Sequence, residues 1–594
     1  MIRLLEGILA TAITLAAVAW SLGIAQILGW AVYTEQFAAL MLAATLALAY
    51  LHLPAVRGEP RTAVPWYDAL AAIASSAAAA YIAVRYPNLV DLILLRPLDV
   101  VIAGGVVIVL LLEALRRATG KALPIIIAFF IGYALVADRV PLGLEGRAIE
   151  WRQLIGYLTI DINGMLGLPI KIGTTIVVMF ILFGSLLGTT GGSRFFTELA
   201  LLGMGRFRGG SAKIAVVASG LFGSISGSAV ANVAATGVVT IPMIKKAGYK
   251  PYQAGAIEAV ASTGGQLMPP VMGAAAFLMA EFLQVPYTEV VLAALVPALL
   301  YYAALFIQAD LEAARVGIQR VDPADVPRWR EVLPGMHFVV PFAVLIVLLF
   351  SYNMQPETAA LWSALVLIAG AGFVIGVLSV TGLGFNLTLA LVQLGAGSMV
   401  LLLVLAAGVC ILLGMGLPTA GVYVLLAALV APAMVKVGIE PMAAHMYVMY
   451  FGMMSMITPP IAIAAYAAAG IAGADPMRTG LEACRFGWSA YVVPFLFVFS
   501  PTLLLIGPAD AVALAIVTAS LGIWLVSIAV IGFFMRPVSG GLRLLFAASG
   551  LLALIPAGAF PGAAVTDAVG AAIGAALIAR EVWIVRFKPQ RAAA

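Results

Sequence analysis

Apolar residues in this chain come in long blocks separated by short polar breaks, with no sustained two-residue alternation. The first quarter holds five such blocks, at 8–32, 37–53, 66–84, 98–115 and 122–137, divided by segments such as RGEPRTAVP (57–65) and RRATGK (116–121). A block of about 18 or more apolar residues is the length of a helix that crosses a bilayer. The first block is too long for the core of a signal peptide and is expected to remain as an uncleaved span. A more polar segment follows from Asp138 to Pro169, whose part EWRQLIGYLTIDINGML suits a membrane interface. A second block series runs from about Ile170 to Gly473, interrupted by the hydrophilic stretch Gln308 to Pro334, and a last group of about four spans occupies Ala483 to Ile584. The pattern predicts an all-α polytopic membrane protein.

Composition sharpens that expectation. Of 594 residues 63% are hydrophobic and only 10% charged, against about 25% charged in soluble domains. The formal net charge of +5 points to no acidic or nucleic-acid partner, because an excess of Lys and Arg collects in cytoplasmic loops. RRATGK, with three cations and no acid, and the tail bearing Arg586, Lys588 and Arg591 are therefore expected on the cytoplasmic side. Cys410 and Cys484 imply no disulfide framework, and His52, His337 and His445 have no metal-ligand spacing. No HExxH pair and no GxxxxGK[ST] loop is present. GSISG has Ile225 at its centre where a serine-hydrolase elbow needs serine, so an intramembrane enzyme is the weaker expectation.

The middle series repeats itself. Pro269-Pro270 and Pro459-Pro460 lie 459 − 269 = 190 positions apart, and the same offset carries Pro242 to Pro432, Lys246 to Lys436, Gly248 to Gly438, Pro251 to Pro441 and Ala254 to Ala444. It also carries Ser226-Gly227-Ser228 to Gly416-Leu417-Pro418 and the apolar run 170–188 to 360–378. Internal symmetry of this kind marks transporter folds. The turn IKKAGYKPYQ has charge +3, whereas MVKVGIEPMA has none, so the two copies are expected to have opposite orientations.

Each copy carries clusters of small polar residues inside apolar surroundings. GSISGSAVANVAATG (223–237) reads as the first arm of a hairpin that enters and turns back, and STGGQLMPP (262–270) as a break in its second arm. The matching breaks are GMGLPTAG (414–421) and MITPP (456–460). Broken helices offer bare N–H groups to anions and bare carbonyls to cations. Ser226, Ser228, Asn232, Thr263, Thr419 and Thr458 could add side-chain oxygens, a donor set suited to a hard cation. The alternative for any one of these small residues is close helix packing. Glu258 in GAIEAVAS is the acid placed deepest, with function and structural pairing equally open, while Glu281 and Asp161 are expected at the interface and His445 as a packed, satisfied side chain.

The run 220–277, together with GMGLPTAGVYVLLAALVAPAM and SMITPPIAIAAYAAAGIAGADPM, resembles the large membrane subunit of the tripartite ATP-independent periplasmic (TRAP) transporters. LGLPIKIGTTIVVMFILFGSLLGTTGGSRFF (166–196) looks like the fused permeases of the subclass that works with TAXI binding proteins. The resemblance implies three parts: a small-subunit-like scaffold at 1–124, a permease domain at 125–482 with inverted repeats at about 170–284 and 360–473, and extra C-terminal helices at 483–594. It implies an inner-membrane, inverted-repeat elevator with two re-entrant hairpins and no enzymatic activity of its own. A periplasmic TAXI-type binding protein would deliver a small organic anion, and sodium, or in this subclass protons, would drive import; no other cofactor is implied. By motif match Ser226, Gly227, Ser228 and Asn232 belong to the first hairpin tip, with Thr263 and Gly264 nearby. Gly414, Gly416, Pro418 and Thr419 belong to the region used beside sodium, with Ser226 opposite. Thr458, Pro459 and Pro460 belong to the second hairpin. The alternative is a stand-alone, ion-coupled dicarboxylate carrier of elevator type.

Overall fold

The computed structural model describes residues 2–21, 24–56, 63–89, 97–119, 122–140, 146–167, 170–171, 174, 192–269, 272–322, 326–333, 399–415 and 419–587. The runs 170–188 and 360–378, as well as Gly416, Pro418 and Pro270, fall wholly or largely outside them. Among the described residues the chain is helical, apart from one isolated bridge between Phe533 and Pro537. Among the described residues seven helical segments are long and apolar enough to cross a bilayer.

The N-terminal helices are α1 (Ile2–Ser21), α2 (Thr34–His52), α3 (Trp66–Leu89), α4 (Leu98–Thr119), α5 (Ala122–Val136) and α6 (Trp151–Ile160). The expected span 8–32 is shorter than its apolar run: described helix covers Ile2–Ser21 and Ile24–Ile27, with 22 and 23 outside the described residues, and the chain turns at Gly29, which takes φ 72°. Polar bonds tie α2 to α3 and to α4, and inside a bilayer no water could substitute for them. The Ser76 hydroxyl donates to Ala43 O on α2 at 2.8 Å, and Tyr50 donates to Leu110 O at 2.6 Å. Arg117, only 5% exposed, pairs with Asp68 at 2.7 Å and lies over the Tyr50 ring. The interface-like segment does form a short helix, α6, with Trp151 and Ile162 exposed at its ends.

The middle of the chain is α7 (Gly192–Met204), α8 (Gly210–Ser226), α9 (Ala229–Lys246), α10 (Pro251–Gly265), α11 (Ala274–Leu283) and α12 (Tyr287–Val316). It is followed by α13 (Met399–Gly414), α14 (Thr419–Leu429), α15 (Ala431–Lys436), α16 (Pro441–Met454), α17 (Ile463–Ala472), α18 (Pro476–Phe486) and α19 (Ser489–Phe499). The 190-residue offset carries the starts of α9 and α10 onto those of α14 and α16. The local causes repeat too. Gly248 and Gly438 take φ of 109° and 96°, which a side chain would resist, and Pro251 and Pro441 open the next helix at its first turn, where no N–H is missed.

The two copies run in opposite directions. Gly255, near the start of α10, approaches Ala468 near the end of α17, while Gln266, just past α10, touches Met456, just past α16. The partner number falls as the residue number rises, so the broken helices α10–α11 and α16–α17 lie antiparallel with their breaks side by side. Gln266 and Met456 are themselves 190 apart, and a two-fold-related pair meeting across an axis is the geometry of inversion.

One expectation about an element boundary is corrected. The hydrophilic stretch from Gln308 does not begin a loop: α12 continues to Val316, with Gln308 and Glu312 fully buried. Gln308 Nε2 donates to Phe486 O at 2.6 Å, while its Oε1 finds no partner among the described residues, and Glu312 accepts from Gln253 at 2.8 Å and pairs with Arg485 at 3.1 Å. The divisions after residues 124 and 482 fall inside α5 and α18. The remaining helices are α20 (Ala509–Ile531), α21 (Gly540–Leu554) and α22 (Ala563–Phe587), with α20 against α12.

Candidate functional site

The sequence element GSISGSAVANVAATG folds as a hairpin tip. α8 ends at Ser226, Gly227 takes φ 59°, and Ser228 caps α9 by accepting from Ala231 N at 3.4 Å. α8 and α9 then run antiparallel: the Ser219 and Thr236 hydroxyls, on either side of the tip, lie 2.9 Å apart. The residue-based reading placed this stretch as one arm with its turn near Gly248; the structure puts the turn at Gly227 instead, as the family resemblance implied. The loop at Gly248 joins the hairpin to the broken helix α10–α11. By the 190-residue offset the counterpart of the first tip falls between the end of α13 at Gly414 and the start of α14 at Thr419, where 416–418 lie outside the described residues, and Thr458-Pro459 lies in the break between α16 and α17.

Tips and breaks of both copies converge. Gly223 and Gly265 cross so closely that a Cβ on Gly265 would stand 2.5 Å from Gly223 Cα, which brings the first tip against the first break. Ser455, in the second break, donates to Gly414 O at 2.9 Å in the second tip. Gln266 bridges the copies: its amide oxygen accepts from the Thr419 hydroxyl, and its Nε2 donates to Met456 Sδ at 3.8 Å. The counterpart contact exists as well, since Ala229 packs against Met456 and lies 190 before Thr419. Eight helix ends meet here: the C-termini of α8, α10, α13 and α16 and the N-termini of α9, α11, α14 and α17. Each end carries a partial charge of about half an elementary charge.

The side chains that the sequence singled out divide sharply. Gly227, Ser228, Gly414 and Thr419 stand at the tips. Thr458 donates to Met454 O at 2.6 Å and meets the Tyr491 hydroxyl at 2.6 Å, while Pro459 packs on Gly480. Asn232 is consumed structurally, its amide donating to Ser219 O at 2.8 Å and more weakly to Ser262 O. Thr263 donates to Ala259 O at 2.8 Å within its own helix. Gly264 leaves room for the Tyr301 ring and has no space for a Cβ. His445 is a satisfied core residue, its Nδ1 2.7 Å from the Tyr423 hydroxyl. Glu281 is exposed, and Asp161 terminates α6 in a turn, accepting from Asn163 N at 2.8 Å.

Two features escaped sequence reasoning: the role of Gln266, and the hydroxyl cage around Glu258, an acid that the sequence did single out. Gln266 was passed over as part of STGGQLMPP, although it is the polar partner of an apolar Met456 at the same repeat position. Glu258 is enclosed by four hydroxyls: Ser219, Thr236 and Ser262 on Oε1 at 2.7, 2.6 and 3.0 Å, and Thr240 on Oε2 at 2.6 Å. The signal was present, because Asn232, Thr236 and Thr240 recur every four residues and so share one face of a helix. Beside the first break lies a cavity of about 500 Å³ lined by apolar side chains such as Val216, Leu299 and Phe306. Such a lining suits acyl chains and offers nothing to a carboxylate.

Comparison with known proteins adds an independent line. The family described as "Tripartite ATP-independent periplasmic transporter, DctM component" matches residues 106–367 and 352–512. The isethionate TRAP transporter permease protein DctMQ of Oleidesulfovibrio alaskensis is 32% identical over 150 residues, 25% of this chain and 24% of that protein. The 2,3-diketo-L-gulonate TRAP transporter large permease protein YiaN of Escherichia coli is 25% identical over 161 residues, 27% of this chain and 37% of that protein. The uncharacterized protein YgiK of Salmonella typhimurium is 38% identical over 94 residues, 16% of this chain and 22% of that protein. The chain thus spans well under two thirds of the length of the curated relatives it matches.

Proposed function

Since the chain belongs to the DctM-component family of tripartite ATP-independent periplasmic transporters, we propose that it is the permease of an importer that takes a small organic anion from a periplasmic binding protein of the TAXI type and moves it inward across the inner membrane. It is a transporter rather than an enzyme. The observation that carries the proposal is the meeting of two tips and two breaks at one point, held together across the copies by Gln266. Backbone interrupted at that depth survives only inside protein or beside an aqueous cavity, and opposed helix ends can serve an anion and a cation together.

In this reading α8–α11 and α13–α17 form the moving unit, and the N-terminal helices, in the position of a small subunit, brace it. Sodium would travel as co-substrate near Gly414, Gly416, Thr419 and the Ser226 tip, where every donor is an oxygen. The basic residues Arg586, Lys588 and Arg591 support a cytoplasmic C-terminus in this reading. Isethionate and C4-dicarboxylates, named for relatives, make organic acids the first substrates to try. The test is uptake of labelled C4-dicarboxylates and isethionate into proteoliposomes under an inward sodium gradient, with and without a purified TAXI-type binding protein. Uptake that requires the binding protein supports the reading. Full uptake without it identifies the chain as the stand-alone carrier.

A further inference from the structure

Glu258 lies inside the unit proposed to move, has no exposed surface and, among the described residues, accepts hydrogen bonds only from hydroxyls. The charged and titratable groups on the helices packed around it are engaged elsewhere. On α8, Lys213 pairs with Asp310 of α12 at 2.6 Å. On α9, Lys245 donates to Ala472 O at 2.7 Å, and Lys246 is exposed. On α12, the Tyr301 and Tyr302 hydroxyls donate to Val260 O and Ala261 O at 2.7 and 2.8 Å, and Glu312 holds Arg315 and Arg485. On α17, Tyr466 donates to Pro460 O at 2.7 Å. On α18, Arg478 lies over the Tyr252 ring, Glu482 holds Arg485, and Cys484 is within 3.4 Å of the Tyr491 hydroxyl. Among the described residues no cation makes an ion pair with Glu258, and an unpaired buried carboxylate is costly.

The hydroxyl cage fits both protonation states without moving a heavy atom. With the carboxyl ionised, Ser219, Thr236, Ser262 and Thr240 turn their single protons toward it. With a proton on Oε2, the acid donates to Thr240 Oγ1 across the same 2.6 Å, and Thr240 turns its own proton to Thr236 O at 3.1 Å. Thr236 likewise has an alternative acceptor in Asn232 O at 2.9 Å. A hydroxyl both donates and accepts, so it can follow the change, where an amide or ammonium cage would be fixed to one state. Ser262 lies in the last turn of α10, one turn before the break at Gln266, so the cage adjoins the site.

We propose that Glu258 is a proton-binding site carried by the moving unit, taking a proton from external water and releasing it to the cytoplasm during import. The inference rests on the transporter reading above, and it adds a proton to whatever cation the tips hold. The experiment is infrared difference spectroscopy of the purified full chain between about pH 5 and about pH 9, a range that spans the titration of buried carboxyls. The expected result is a protonated-carboxyl C=O band that disappears as pH rises and is absent from E258Q, whose amide can take the same bonds as the protonated acid. Thr240→Val, which removes the partner of Oε2, should shift the band rather than abolish it, and this assigns the band even if E258Q does not fold. In proteoliposomes, wild type importing a labelled acid should acidify a lumenal pH dye, and E258Q should give no acidification. A band unchanged across the pH range, or one that survives in E258Q and ignores Thr240→Val, overturns the proposal. Wild type that imports no acid counts against the transporter reading and leaves the titration to be judged separately.

Discussion

The crossing of Gly223 and Gly265 offers the sharpest test of the site's geometry. Replacing Gly265 by alanine puts a Cβ 2.5 Å from Gly223 Cα and 2.7 Å from its carbonyl carbon. Ordinary carbon contacts lie at about 3.5–4.0 Å, so the hairpin α8–α9 and the helix α10 must separate by about 1 Å. Both contacts are backbone, so no side-chain rotation relieves them, and overpacking of this sort costs about 1–3 kcal/mol. The same separation shifts the first tip relative to the first break, where the anion and cation are proposed to sit. Gly265→Ala is therefore expected to lower the thermal unfolding midpoint in detergent and to reduce proteoliposome uptake to background. Gly408→Ala is the control: it lies on the exposed side of α13 with nothing within 4 Å of an added Cβ, and in mid-helix it should be neutral or stabilise by at most about 1 kcal/mol. A Gly265→Ala protein with wild-type midpoint and wild-type uptake would refute the close crossing and the site built on it.

Other consequences can be checked on the same preparations. Ser228→Leu and Thr419→Leu should each abolish uptake while leaving the chain folded, by filling the gap between tips and breaks, and normal transport in either would remove that residue from the site. Cysteines replacing the exposed Lys246 and Lys436 should be labelled from opposite faces of the membrane, because the copies run antiparallel; labelling of both from one side would contradict the inversion. Asp68→Ala should destabilise the chain by about 3 kcal/mol, the lower end of the cost of stripping a buried pair, since Arg117 keeps Glu113 at 2.7 Å. An unchanged unfolding midpoint would show that the pair contributes nothing.

The sequence by itself determined that the chain is helical and membrane-spanning, because block length and the scarcity of charge are one-dimensional properties. It also determined the 190-residue repeat and the residues at which helices stop, since glycine and proline act on their own backbone. Orientation was legible only through three lysines in one turn, and the antiparallel running of α10–α11 and α16–α17 gives the physical form of the same inference. What only the tertiary structure decided was which break is a tip and which an unwound helix, because a Gly-Ser break looks alike whether the next helix turns back or continues. It also decided that Asn232 and Thr263 are spent on backbone carbonyls and that Gln308 and Glu312 are buried. A polar residue's role depends on the partner brought to it, and those partners are 41 to 229 residues away for Ser455, Gln308 and Gln253. The hydroxyl cage around Glu258 draws on three helices, so no window of sequence contains it, although its four-residue spacing along α9 was there to be read.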